Sequence, residues 1–326
     1  MKLLLLAWWA AVSFNACAQA PIVIKFSHVV APETPKGQAA QRFKLLAEKA
    51  TGGRVKVELY PNSQLYKDKD ELEALQLGAV QMLAPSLAKF GPLGVREFEA
   101  FDLPYIFPTK AALYQVTEGE IGKAMLKKLE SKGITGLAYW DNGFKLMSAN
   151  RPLHAPADFK ALKMRIQSSR VLDAQMRALG ASPQVLAFAD VYQALKSGVV
   201  DGTENPPSNM YTQKMHEVQK YLTVSNHGYL GYAVIVNKKF WDGLPADIRA
   251  QLEHAMEEAS TFEKTIAQRD NDLALEAIRK AGKTEIYTLS VTQQAEWRRA
   301  LAPVQAEMAG RIGRDLIGAI NRENAR

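Results

Sequence analysis

Leu162-Lys163-Met164-Arg165-Ile166-Gln167 sets an arginine inside a short β-type run. Successive side chains of a strand point to opposite faces, so the apolar neighbours Met164 and Ile166 face away from Arg165. Residues 163–167 read as a strand, 169–179 as a helix and 183–186 as a second strand. A helix over 189–197 follows, and Gly198-Val199-Val200-Asp201-Gly202 leads into another strand or turn. This βαβ rhythm builds a mostly parallel sheet.

The N-terminal part repeats the rhythm without repeating the sequence. Strands are expected at 22–26, 55–59 and 80–84, with helices at 38–50 and 69–77 stopped by Thr51-Gly52-Gly53 and Gly78. Residues 134–139 read as a further strand that opens the second set. Two α/β lobes are therefore expected, in keeping with a length of 326 residues. Residues 246–281 contain neither Gly nor Pro and are rich in helix formers. A single helix of that length would reach on the order of 50 Å, long enough to serve both lobes as a spine; the alternative is a break into two. The polar tail, 321–326, is expected to fray.

Residues 1–20 read as an export signal, with Lys2 as the basic n-region, 3–14 as a short apolar core and Ala18-Gln19-Ala20 as an A-x-A cleavage site. Cys17 raises a rival lipoprotein reading, which the bulky polar Asn15 disfavours. Cys17 is the only cysteine and would leave with the signal, which excludes disulfides, thiol catalysis and cysteine-bound metal. No other stretch is apolar enough to span a membrane, so the processed chain is expected in the periplasm without membrane insertion. The net charge is +7, or +6 once Lys2 is removed. Acids and bases alternate, as in Lys67-Asp68-Lys69-Asp70-Glu71, and no basic run resembles a nucleic-acid-binding arm. A mild positive excess favours anionic solutes, and ordinary surface chemistry accounts for it equally well.

Enzyme signatures are absent: the chain has no G-x-S-x-G, no H-E-x-x-H and no phosphate-cradling glycine loop. Its histidines, His28, His154, His216, His227 and His254, are scattered without metal-ligand spacing. No cofactor and no catalytic residue is expected. His28 sits where the first strand gives way to a loop, and Ser86 and Lys89 follow the third strand in the same way. That edge is where ligands bind in α/β sheets; a solvated loop charge is the plainer reading of Lys89. A buried Arg165 must be paired, either in a structural salt bridge or with a ligand carboxylate gripped by the guanidinium fork. Asn205, in Asp201-Gly202-Thr203-Glu204-Asn205-Pro206-Pro207, has an amide able to face an anion, in a segment that also reads as a simple turn. Tyr232, with Tyr229, Phe240 and Trp241, belongs to core or pocket wall.

Several segments together resemble the solute-binding proteins of tripartite ATP-independent periplasmic (TRAP) transporters, of the DctP type. They are Phe26-Ser27-His28-Val29-Val30 with Thr34-Pro35-Lys36-Gly37, Tyr60-Pro61-Asn62-Ser63-Gln64-Leu65, Leu103-Pro104-Tyr105, Leu162-Lys163-Met164-Arg165, Gly180-Ala181-Ser182-Pro183, Asp190-Val191-Tyr192-Gln193-Ala194-Leu195, the 200–206 segment and Glu217-Val218-Gln219-Lys220. They occur in family order through nearly the whole processed chain. The resemblance implies an α/β fold, a two-lobed periplasmic-binding-protein clamshell with crossing strands and a long bent spine helix. Lobe I would comprise 21–142 plus 232–270 and lobe II 143–231 plus 271–326, with the ligand cleft between them.

The resemblance further implies that Arg165 makes paired hydrogen bonds to a substrate carboxylate and that Asn205 is the next contact. Lys145 stands where some members carry an arginine after the Asn-Gly matching Asn142-Gly143, so a sialic-acid specificity is not expected. The 26–30, 84–90 and 164–169 segments look most like binders of C4-dicarboxylates. Each end of a diacid needs charged or multiple hydrogen-bond partners in a closed cleft. Arg165 takes one end, and Lys36, Lys89, His28 and Ser86 are candidates for the other. The implied partners are a small carboxylate and the membrane permease subunits. Rival readings are a receptor for a keto or aromatic acid, a ligand presenter for a membrane sensor, and a periplasmic hydrolase or lyase using His28 with an acid.

Overall fold

The computed structural model describes residues 20–325; the export-signal and Cys17 readings therefore concern residues outside the described ones. Among the described residues eleven strands form in chain order: β1 (Ile22–Ser27), β2 (Val55–Tyr60), β3 (Met82–Leu83), β4 (Ile134–Phe144), β5 (Leu146–Ala149), β6 (Lys163–Ile166), β7 (Ser182–Val185), β8 (Gly202–Asn205), β9 (Tyr221–Val224), β10 (Tyr229–Asn237) and β11 (Glu285–Thr288). They make two sheets, five strands in the order β2-β1-β3-β10-β4 and six in the order β11-β9-β5-β8-β6-β7. Each sheet carries a parallel set made by βα units (β2-β1-β3 in the first, β7-β6-β8 in the second).

The chain passes between the sheets where β4 runs into β5 through Lys145, and again between β9 and β10. The two crossings are tied together by Lys145 N donating to Gly228 O at 2.8 Å. All nine residues of β10 are buried, because this strand lies between β3 and β4 under helices. Phe26, Phe43 and Trp140 pack beneath that sheet with ring centres 6.0–6.1 Å apart.

Ala246–Ala281 is one helix of 36 residues, about 54 Å at the usual rise. It does not break, and Gly282 stops it in the left-handed conformation. Its Ile248, Leu252 and Met256 join the core of the first sheet, whereas Ile278 joins that of the second. The helix is thus a spine serving both halves. The last two helices also bridge them. Val291–Ile312 packs on Arg170–Ala178 beside the second sheet, and Arg314–Asn324 packs on Lys110–Glu118 beside the first.

The helix Pro35–Ala50 begins three residues before the periodicity indicates. Thr34 Oγ1 accepts from Gly37 N at 3.2 Å, and Pro35 has the fixed φ suited to a first turn. A side chain at residue 37 would lie 2.5 Å from Ala31 O and Pro32 O, so only glycine lets this turn fold back on the preceding loop. That close approach sets the position of Lys36.

Candidate ligand-binding site

The edges after the first and third strands, named by the sequence, converge with those of β6 and β8. His28 follows β1, Ser86 follows β3, Gln167 follows β6 and Asn205 ends β8. The edges come from both sheets and face one cavity. Lys36, Ser86, Lys89, Asn205 and Tyr232 line it, together with Gln167, Asn209, Phe188, Asp68 and Glu71. Three contacts close the walls on each other. Ser86 Oγ donates to Gln167 Oε1, Phe188 N donates to Asp68 Oδ1 at 3.2 Å, and Lys67 pairs with Asp190 at 2.7 Å.

Lys36 is 1% exposed. Its Nζ donates to Ala84 O at 2.8 Å and stands 3.7 Å from the centre of the Tyr232 ring. Burial pulls this ammonium below the usual lysine range, against the opposing influence of Glu71 and Asp68. Lys89 is buried and pairs with Asp68 at 2.7 Å. Asn205 accepts from Asn209 Nδ2 through Oδ1 at 3.2 Å, and its own Nδ2 is buried without a hydrogen-bond partner. An orphaned buried donor facing a cavity is free to take an anionic oxygen.

Arg165 is 1% exposed, and both Nε and Nη2 donate to Leu186 O, at 3.1 and 2.8 Å. Its guanidinium carbon is 6.0 Å from the centre of the Phe188 ring, which lines the cavity. Among the described residues no carboxylate lies within ion-pairing distance of Arg165. The structural salt bridge offered as one solution for this arginine is therefore not made. Burial lowers its pKa to about 10, only partly opposed by the more distant Asp68 and Glu204. The guanidinium stays charged near neutrality without an ion-pair partner of its own.

His28 does not line the cavity; it is buried at its edge, with Nδ1 unpartnered. Burial, helped by nearby Lys36, pulls its pKa down from 6.5 to about 3. The unfolded chain binds this proton below pH 6.5 and the folded chain does not until about pH 3. Acidification across that window therefore favours unfolding by up to about 1.4 kcal/mol per pH unit. The urea midpoint of His28→Asn is expected to fall less than that of the wild type between about pH 7 and pH 5. Equal falls would contradict a buried neutral imidazole.

Lys145, like Arg165 and His28, is not among the residues that line the cavity. It lies at the strand crossing, where Nζ meets Glu204 Oε1 at 2.6 Å. His227 Nε2 is 2.8 Å from Glu204 Oε2, and His227 Nδ1 is 2.7 Å from Ser225 Oγ. Burial alone would raise the Glu204 pKa, but Lys145 and the His227 hydrogen bond outweigh it and hold the group at about 2. So paired, Lys145 is engaged at the crossing. Sequence reading also missed Asp68 and Glu71, treating their segment as a solvated run of alternating charge. Asp68 lies in the turn before the helix that starts at Glu71, and both line the cavity with Lys36 and Lys89. Gln167 and Asn209 were missed as well; Gln167 stands at a strand edge, and Asn209 follows Asn205 by four residues.

Two α/β halves, doubly crossed by strands and enclosing a cavity walled by buried cations and orphaned amides, define a solute-binding protein. The model of the bacterial extracellular solute-binding proteins of family 7, DctP, matches residues 26–311. The chain belongs to this family. It is 67% identical to the C4-dicarboxylate-binding periplasmic protein DctP of Rhodobacter capsulatus, over 97% of this chain and 94% of that protein. It is 43% identical to the C4-dicarboxylate-binding protein DctB of Bacillus subtilis, over 92% of this chain and 85% of that one. A TRAP periplasmic solute-binding protein of Sulfurospirillum deleyianum with bound succinate superposes with a TM-score of 0.90 at 45% identity, covering 93% of this chain and 99% of that one. One of Pseudomonas aeruginosa with bound L-malate superposes with a TM-score of 0.86 at 44% identity, covering 88% and 100%.

Proposed function

We propose that this chain is the extracytoplasmic receptor of a TRAP transporter and that it captures C4-dicarboxylates such as succinate, fumarate and malate. The observation that carries the reading is a buried, charged Arg165 without a carboxylate partner, beside a small cavity walled by Lys36, Lys89 and the orphaned amide of Asn205. Arg165 would hold one carboxylate through its fork, and Lys36, Lys89 and Asn205 the other. The ligands of its relatives, succinate and malate, support the same class. The ligand would bridge walls from both halves and so favour the closed form, which would dock on the membrane permease subunits in the periplasm. No helix among the described residues is long and apolar enough to cross a membrane. On this reading the acid is delivered unchanged and the chain is not an enzyme.

A thermal-shift panel of C4 diacids, keto acids, aromatic acids and N-acetylneuraminate tests the ligand class. A ligand at a thousandfold excess over its Kd stabilises the folded state by about 4 kcal/mol. The C4 diacids are expected to raise the midpoint and the others to leave it in place. A shift from keto or aromatic acids alone would transfer the assignment to them. Recovery of malate unaltered after prolonged incubation is expected, and its conversion would contradict a receptor role.

A further inference from the structure

We propose that Glu71 is a proton-linked ligand contact: it takes up one proton from solvent when a dianion enters the cleft and donates the resulting O–H to a ligand oxygen. The inference rests on the dicarboxylate reading of the site. Glu71 lines the cavity and is 1% exposed. Its Oε1 is buried without a hydrogen-bond partner, and among the described residues it makes no ion pair. Asp68 differs, being engaged by both Lys89 and Phe188 N. The wall therefore holds one carboxyl whose hydrogen-bonding capacity is unused and which faces the space a ligand fills.

The charge balance needs that proton. Lys36 and Lys89 line the cavity and Arg165 stands beside it, against the acids Asp68 and Glu71. With all five ionised the site carries one net positive charge. A bound dianion would then leave one uncompensated negative charge inside a small closed cavity, a costly arrangement. Protonating Glu71 restores neutrality and converts a repelling oxygen into a donor. The titratable groups facing Glu71 are Lys36 from Pro35–Ala50, Lys89 from the turn Leu87–Lys89, Asp68 from the preceding loop and Tyr232 from β10, with His28 neutral behind Lys36. Burial and Asp68 favour the neutral carboxyl, while Lys36 and Lys89 oppose it. A dianion adds to the favouring side. It would also favour a proton on Lys36, so the test must separate the two carriers.

Isothermal titration of the ligand-stripped chain with succinate at about pH 8, in buffers of different ionisation enthalpy, reads the proton count. The wild type is expected to take up between about half a proton and one per succinate, with affinity falling up to about tenfold per pH unit as pH rises. Glu71→Gln, whose amide can donate but carries no titratable proton, is expected to abolish the uptake and flatten the pH dependence of whatever affinity it retains. Binding by the wild type without proton uptake would overturn the inference and leave the dicarboxylate reading intact. Uptake that persists in Glu71→Gln would place the proton on Lys36 and overturn it too. Absence of binding by any C4 diacid would remove the ground of both. Should the variant fail to fold, the infrared difference spectrum of the wild type decides: a protonated-carboxyl band appearing with succinate is expected, and its absence contradicts the assignment.

Discussion

Arg165→Lys is expected to weaken succinate binding by more than about tenfold while the protein stays folded. The substitution keeps the charge and removes the fork. In the wild type Nε and Nη2 are both anchored on Leu186 O, which fixes the guanidinium plane. A lysine ammonium has no such plane and cannot grip two carboxylate oxygens in parallel while holding that carbonyl. Truncation to Ala should cost more, because it leaves the ligand carboxylate without its charged partner; losses of about 2–5 kcal/mol are usual for such pairs. Destabilisation of the free protein should be modest in Arg165→Lys, which keeps a donor for Leu186 O, and larger in the Ala variant, which leaves that buried carbonyl without these two hydrogen bonds. Titration with succinate and thermal unfolding of both variants provide the check. Unchanged affinity in Arg165→Lys would remove this residue from the site.

Glu204→Gln should have the largest effect on stability. It leaves Lys145 charged and buried at the crossing and weakens the partner of His227. Breaking one side of a buried ion pair typically costs about 3–5 kcal/mol. For a chain of this size that lowers the midpoint by on the order of 5–10 °C. Replacing Lys145 and Glu204 together by apolar residues of similar volume should cost less than the single change, because no lone buried charge remains. The pH dependence has a definite sign. A carboxyl held at about 2 in the folded state contributes stability that is fully present above the ordinary glutamate range and is lost as pH falls towards 2. The variant should therefore lose less stability than the wild type on acidification below about pH 4. A single substitution with no measurable effect would contradict the reading of this triad as the clamp between the halves.

The parallel strands were legible because their apolar runs are bounded by turn formers. β1 and β2 extend only one residue beyond the expected 22–26 and 55–59. The spine helix was legible from an uninterrupted stretch of helix formers, although composition left open whether it breaks. What sequence pattern could not deliver was tertiary. β4 runs on to Phe144 because it pairs antiparallel with β10, and that pairing joins residues some ninety positions apart. The expected third strand, 80–84, shrank to Met82–Leu83, the two residues that pair with both β1 and β10. Ser86 was placed by the general rule for α/β sheets, and Asn205 by its turn-rich segment and the family resemblance. Lys145 was drawn in by family position, and its pairing with Glu204, 59 residues away, has no local signature. The acids Asp68 and Glu71 look solvated in sequence because the other residues of the cavity wall, Lys36 and Lys89 among them, arrive from other elements.

The most direct test of the central claim is isothermal titration of the refolded, ligand-stripped protein with succinate. The geometry leads us to expect saturable one-to-one binding with a Kd of about a micromolar or tighter, that is, at least about 8 kcal/mol. Absence of heat with succinate, fumarate and malate alike, from protein verified as folded, would contradict the assignment of this cleft to C4-dicarboxylates.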